Sequence, residues 1–229
     1  MTDTIDQLRD ELTARIRSHP FLRCCRDGTV TAQAMRTFLE QQALYSHHFT
    51  RFLCALMSRL QGNDQVLALA ANLFEELGLD GAETIPHSEI YRDMLRSFGI
   101  AQPADDIARP ETRALIAEMY ELCRDDDCAS GLGALCLGAE ALVPAVYGDI
   151  LLGLKALGYR DEDCVFFQIH VDCDDGHAET MEQIMIEIVT KSPHRIPILT
   201  TAGRRIVEAR YSFFDGILTH AGQQLANVG

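Results

Sequence analysis

Apolar residues recur along this chain at intervals of three and four, and no stretch alternates with the period of two that a half-buried strand requires. The pattern predicts a first amphipathic helix over residues 4–18, stopped by Pro20. Thr31 can cap a long helix over 31–60, whose apolar stripe is Met35, Phe38, Leu39, Phe49, Leu53, Leu56, Met57 and Leu60. Further helices are expected over 64–77, 87–98, 111–123, 132–157, 164–191 and 203–226, separated by turn residues such as Gln61-Gly62-Asn63 and Asp125-Asp126-Asp127. Residues 100–110 form the longest linker, but helical periodicity resumes directly after it, so no domain boundary is placed there. The expectation is an all-α bundle of about seven helices in a single domain over 1–229.

Two of these helices need closer reading. The segment over 132–157 is apolar for long enough to cross a bilayer, yet it contains Glu140, Pro144, Asp149 and Lys155. Mid-helix charges cost ~2.5–3.5 kcal/mol each on insertion scales, so a buried central helix is the better account. Over 164–191, His170, Asp174 and His177 are spaced four and then three residues apart. At helical pitch their side chains fall within roughly 60° of arc. The same face carries Phe166, Cys173, Met181, Ile184 and Ile188, while Asp172, Asp175, Glu179 and Glu182 fall on the other side. Three polar groups buried side by side are costly unless paired or bound to metal.

Charge and cysteine content narrow the setting. A net charge of −14 and a pI near 4.9 argue against nucleic acid and anionic membrane as partners. The N-terminal stretch reads as a mixed-charge amphipathic helix rather than a signal peptide, and eight cysteines without CxxC pairs fit free thiols in a reducing compartment, expected to be cytoplasmic.

Other inward-facing polar groups join the triplet. Glu140 lies at the edge of the arc of Leu132, Leu135, Cys136, Ala139, Val143 and Ile150, with Tyr147 beside it. Glu76 borders the face of Val66, Leu69, Ala70, Leu73 and Leu77, whereas Glu75 points away. His87 follows Pro86 in the first turn of its helix, on the stripe of Ile90, Tyr91, Met94, Leu95 and Phe98. Each residue has a plainer reading: a core histidine, a salt-bridged Glu140, a solvated Glu76, a metal-free hydrogen-bond network. Together, three carboxylates and three imidazoles form a nitrogen and oxygen ligand set suited to iron or manganese, and helical bundles hold di-metal carboxylate sites in this way.

These residues carry a resemblance. Asn72-Leu73-Phe74-Glu75-Glu76-Leu77-Gly78 followed by Pro86-His87-Ser88-Glu89-Ile90-Tyr91, then Gly138-Ala139-Glu140 with Pro144 and Tyr147, and finally Phe166-Phe167-Gln168-Ile169-His170 with Asp174 and His177, resemble the three signature blocks of the heme-oxygenase-like non-heme diiron oxidases. That family shares its bundle with thiaminase II and pyrroloquinoline quinone synthase. The resemblance implies a heme-oxygenase-like fold with two Fe(II) per chain, Mn being an alternative metal, and O2 as co-substrate. One iron would take Glu76, His87 and Glu140; the second would draw on Glu140, His170, Asp174 and His177, with a carboxylate bridging. The loop between Glu76 and His87 is about a residue longer than the family's, which keeps Glu75 as an alternative ligand; Glu40, His47 and His48 face away from their stripe and are not assigned.

The implied activity is O2-dependent oxidation of a small organic molecule: N-oxygenation, oxidative C–C cleavage or a related reaction. A homodimer and an external reductant are further expectations. Tyr45, Phe49, Tyr91, Tyr147 and Phe167 are the expected pocket lining, though each is also an ordinary core aromatic. Two alternatives stay open. One is a p-aminobenzoate synthase of the same fold that consumes its own tyrosine, for which Tyr45 and Lys155 could serve. The other is a metal-free relative, either cofactorless or thiaminase-like with Cys136 or Cys173 as nucleophile.

Overall fold

A computed structural model describes the backbone of residues 2–79, 85–172 and 176–228, and the side chains of 5–79, 85–171 and 179–222. Among the described residues every regular element is helical, as the periodicity predicts. The segments are more numerous than the expected seven, because tertiary contacts break several of the predicted helices.

The first two elements are α1 (Thr2–Arg17) and α2 (Pro20–Arg26). Pro20 does stop α1, and it also opens α2, where its fixed φ suits the first helical position. His19 caps that start: its Nδ1 accepts the Phe21 N–H at 3.0 Å. Next comes α3 (Ala32–Ser46), capped as expected by the Thr31 hydroxyl, which accepts the Ala34 N–H at 3.1 Å. It does not run on to residue 60. The chain turns at His47-His48 and restarts as α4 (Phe49–Met57) without a glycine or proline. His48 Nδ1 lies 3.0 Å from the Tyr120 hydroxyl, and Arg51 donates to the His47 carbonyl at 2.7 Å. Partners from elsewhere in the fold thus hold a turn that periodicity alone does not reveal.

After α5 (Asn63–Glu76) and α6 (His87–Ser97) come α7 (Pro110–Cys123) and the short α8 (Cys128–Leu132). The helix predicted over 132–157 is interrupted: α8 passes into a π-helical turn (Gly133–Leu137) and a 3-10 turn (Glu140–Leu142) before α9 (Val143–Ala156). Pro144 has no N–H to offer a carbonyl four residues back, so an unbroken helix cannot pass through. The last elements are α10 (Val165–Asp172), α11 (Gly176–Lys191) and α12 (Ile196–Val228).

The core runs from Ile5 to Ala221 and centres on α12, whose Leu199, Ile206, Val207, Phe213, Phe214 and Ile217 are buried. α12 crosses the π-helical turn so closely that a Cβ on Gly133 would collide with the Leu199 carbonyl, and one on Gly138 would lie 2.6 Å from the Ile206 side chain. The apolar stretch Cys128–Ala156 meets the length and composition of a membrane span, but 61% of its most apolar window is buried against these neighbours. At its far end Asp149, 1% exposed, accepts from Arg17 at 2.8 and 3.0 Å and from Arg26 at 2.5 Å. An ion buried alone costs several kcal/mol, in the range of about 3–5 when one partner is removed, so this pairing clamps α1 and α2 onto α9.

Candidate metal centre

The site is assembled from helix ends and turns. α5 terminates in a Schellman-type cap: Gly78 N–H donates to the Glu75 carbonyl at 2.9 Å and Leu79 N–H to the Phe74 carbonyl at 2.7 Å. Gly78 has φ +67°, and a Cβ there would lie 2.8 Å from the Ile85 carbonyl carbon and the Pro86 nitrogen. Only glycine lets the two strands of chain approach so closely. This close approach brings the end of α5 beside the start of α6, so that Glu76 and His87 meet. His87 Nδ1 lies 3.2 Å from Glu76 Oε1, with both side chains about nine-tenths buried.

His170 arrives from α10. Its Nδ1 lies 2.7 Å from the Phe166 carbonyl of its own helix. A carbonyl only accepts, so Nδ1 carries the proton and a neutral ring has its lone pair on Nε2, the usual orienting arrangement for a ligating histidine. The His87 and His170 rings stand 4.9 Å apart, edge to face. One ligating atom each from Glu76, His87 and His170 falls within 4.8 Å of the others. A carboxylate oxygen with two imidazole nitrogens is the donor set that iron, manganese or zinc takes, so the residues present fit a metal. The grouping differs in one respect from the resemblance, which put His170 on a different iron from Glu76 and His87. Glu75 is not in this group, while Asp174 and the His177 side chain lie outside the described residues.

The group opens on a cavity of about 310 Å³, within the range of small-molecule sites. Glu140 lines it as well, 8% exposed, carried there by the 3-10 turn that follows the π-helical interruption. Tyr45, Phe49, Tyr91 and Tyr147 line the cavity, as expected. Phe167 does not. Phe166 and His170, four apart on α10, both line the cavity, which turns Phe167 about 100° away into the core against Phe38 and Tyr147. Phe166 takes its place, with its ring 4.3 Å from that of His170. His47, expected to face away, also lines the cavity because the chain turns after Ser46.

Periodicity missed two polar cavity residues. Gln42 lies on the buried face of α3, at helical spacing from Phe38 and Tyr45, and Arg210 interrupts the stripe of Ile206, Phe213 and Ile217 on α12. A polar residue inside an apolar stripe was the available signal. Arg210 donates to Gln42 Oε1 at 3.1 Å, and Gln42 Nε2 donates to the Tyr147 hydroxyl at 3.2 Å and to Ser46 Oγ at 2.9 Å. The Arg210 guanidinium also sits 4.1 Å over the Tyr45 ring. Burial pushes the pKa of both phenols, Tyr45 and Tyr147, up; Arg210 opposes this and Glu140 adds to it, so each ring feels both charges.

The residues named for the other readings lie elsewhere. Lys155 is half exposed and pairs with Asp161 at 2.8 Å, outside the cavity lining. Cys136 is buried, does not line the cavity, and burial holds its thiol strongly protonated. Cys173 lies outside the described residues.

The fold is shared with solved structures: a domain with a heme oxygenase-like fold from Shewanella denitrificans superposes with a TM-score of 0.79 at 17% identity, covering 99% of this chain and 94% of that one. A 4-aminobenzoate synthase from Chlamydia muridarum is 25% identical over 222 residues, 93% of this chain and 90% of its own length. A 4-chloro-allylglycine synthase from Streptantibioticus cattleyicolor is 24% identical over 184 residues, 77% of this chain and 70% of its own. The profile of the family described as iron-containing redox enzymes matches residues 36–211, from within α3 to the middle of α12 and spanning every residue of the centre. The chain belongs to that iron-containing redox enzyme family.

Proposed function

We propose that this protein is a non-heme diiron oxidase or oxygenase that uses O2 to oxidise a small organic substrate held in the cavity beside Glu76, His87, Glu140 and His170. The observation that carries the reading is the convergence of a carboxylate and two imidazoles, one with its tautomer fixed, on the wall of a largely apolar cavity. Glu76, His87 and His170 would hold one iron. Glu140, with Asp174 and His177, would complete a second position.

Ferrous iron held there supplies the electrons that O2 reduction requires. The chain supplies the rest. The Phe166 carbonyl keeps the His170 Nε2 lone pair directed outward, so that ligation costs no change of tautomer. Tyr91 donates to the Leu39 carbonyl at 2.9 Å, which occupies its hydroxyl. Phe49, Val143, Val146 and Phe166 exclude water from the space where substrate would sit.

The relatives favour one second reading, a synthase that makes 4-aminobenzoate. In this chain Tyr45 and Tyr147 line the cavity, but Lys155 stands on the surface, so a nitrogen for that product would come from another source.

Anaerobic titration with ferrous iron, followed by exposure to O2, tests both. Wild type is expected to take up to two irons per chain and then consume O2, and His170→Ala to lose at least half of the iron bound. Equal iron uptake by wild type and His170→Ala would overturn the metal site. Intact mass after turnover separates the readings: an unchanged chain supports oxidation of an external substrate, whereas loss of mass at a cavity tyrosine supports the self-consuming synthase.

A further inference from the structure

The Tyr45 ring on the cavity wall continues into a run of aromatic side chains that leads out of the cavity. Tyr45 packs on Phe52 with ring centroids 5.8 Å apart, and Phe52, wholly buried, meets Tyr120 edge to face at 4.7 Å. Both spacings are those of rings in direct contact. Tyr120 on α7 and His48 in the turn between α3 and α4 form the partly exposed end of the run. There the Tyr120 hydroxyl lies 3.0 Å from His48 Nδ1. Holding the turn needs only an acceptor at that place, whereas an imidazole is also a base. Burial, with His47 and Arg51 adding to it and Asp105 opposing, pushes the His48 pKa below 6.5, so the ring is neutral at neutral pH and can take a proton. Two cavity phenols are placed differently. The Tyr45 hydroxyl has the Arg210 guanidinium beside it, which has no lone pair to receive a proton, and Tyr91 donates to the weakly basic Leu39 carbonyl. The Arg124 guanidinium lies 4.3 Å over the Tyr120 ring. A cation there opposes positive charge on the ring, so Tyr120 can give up an electron only as it gives up its proton.

We propose that Tyr120 and His48 form a redox pair that draws oxidising equivalents out of the cavity, so that oxidation which misses the substrate ends near the surface rather than at the metal ligands. This rests on the reading of the cavity as an O2-activating iron site, whose one-electron oxidant, formed from iron and O2, is the species reduced. Tyr120 loses one electron across Phe52 and Tyr45. Its O–H bond breaks as the proton forms an N–H bond at His48 Nδ1, which leaves a neutral phenoxyl radical beside an imidazolium. The oxidant gains that one electron. A one-electron reductant from solvent, such as ascorbate, then returns an electron to the partly exposed Tyr120 while His48 returns the proton. Histidine suits this shuttle because it exchanges a proton near neutral pH.

Freeze-quench electron paramagnetic resonance of the full chain, with two oxidants, tests the pair and its route. The first is photogenerated tris(bipyridine)ruthenium(III), which acts from solvent on metal-free protein. The second is ferrous iron, loaded anaerobically and exposed to O2 without substrate. Both are expected to give a tyrosyl signal, and Tyr120→Phe to lose most of it. His48→Gln should also lose most of it while melting close to wild type, since the glutamine amide can accept the phenol hydrogen bond but not its proton. A histidine that only held the turn would show no such loss. Phe52→Leu should weaken the signal driven by iron and O2 and spare the one driven by ruthenium, because only the first crosses Phe52. A full tyrosyl signal in folded Tyr120→Phe, or an undiminished one in His48→Gln, overturns the pair. Equal effects of Phe52→Leu on the two signals overturn the route. Iron bound and O2 consumed with no tyrosyl signal overturns the proposal and leaves the metal reading intact. Absence of iron uptake strikes the metal reading and the route from the cavity with it, while the ruthenium signal judges Tyr120 and His48 separately.

Discussion

His19 shows how much one side chain settles locally. It is fully buried, its Nδ1 caps α2 by accepting the Phe21 N–H, and its Nε2 lies 3.1 Å from Asp215. The ring must therefore be neutral with the proton on Nε2, because a protonated Nδ1 could not accept. Burial is the main cause that pushes the His19 pKa below the ordinary 6.5, against the pull of Asp215. The consequence for stability has a definite sign. Above 6.5 the ring is neutral whether folded or unfolded, and its contribution is complete. As pH falls below 6.5 the unfolded chain takes up the proton first, so stability is lost until the lower folded value is passed. His48 and His220 are lowered too, so the measurement must be a difference. His19→Asn keeps a good cap and removes the titration. Melting temperature measured from pH 7.5 to 5.5 should fall less steeply in His19→Asn than in wild type, by on the order of a few degrees over that range. Parallel curves would refute the assignment. The sequence holds Pro20 as a stop signal, and the histidine before it gave no sign of being the cap of the next helix, since histidine is not among the preferred cap residues.

The interruption between α8 and α9 belongs to the scale of the element. Composition and periodicity made 132–157 one buried helix, and burial was right. Continuity was not, although Pro144 and the glycine pair were in view: a proline early in a run and a glycine at 138 weigh little in a periodicity count, while the collision that Gly133 and Gly138 avoid involves Leu199 and Ile206 of α12, far along the chain. The resulting register change carries Glu140 to the cavity. Gly138→Ala is the direct probe, because its Cβ would lie 2.6 Å from Ile206 Cβ and 2.7 Å from the Ala134 carbonyl. Overpacking of this kind costs about 1–3 kcal/mol, or about 2–12 °C in melting temperature for a chain of this size. Iron stoichiometry should fall with it, because the displaced turn bears Glu140. A Gly138→Ala protein with wild-type melting and full iron uptake would show that the close crossing is unimportant. The same contrast runs through the site. Glu76, His87, Glu140 and His170 could be read as inward-facing from their own helices, and the structure brings them to one cavity. Phe167 could not be told from Phe166, because adjacent residues at a helix edge differ by a rotation that only the cavity lining resolves. Arg210 and Gln42 were passed over because a search for metal ligands does not ask about cations and amides.

At the scale of the molecule, the candidate ligands come from separate segments: the end of α5, the start of α6, the turn before α9, and α10. Among the described residues no disulfide holds these segments to one another. A metal that bridges them ties distant parts of the chain together and binds the folded state alone, so it must stabilise that state. Ferrous iron at a hundred times its dissociation constant should add about 2.7 kcal/mol, seen as a rise in melting temperature of several degrees under anaerobic conditions. Chelator should reverse the rise, and Glu76→Ala should show a smaller rise than wild type. An identical melting temperature with and without iron in wild type would mean that the segments are organised without the metal.

The clamp on Asp149 bears on where this protein can be cut. The family profile begins at residue 36, yet the guanidiniums that neutralise Asp149 belong to Arg17 and Arg26, upstream of that limit. Phe21 and Leu22, which are wholly buried, lie there as well. The stretch that the profile matches is therefore shorter than the stretch that folds. Genetic fusions, trimmed expression clones and transplanted segments designed on the shared limits would leave an acid without its counter-charges and a strip of the interior open to water. The boundary to respect is the electrostatic one.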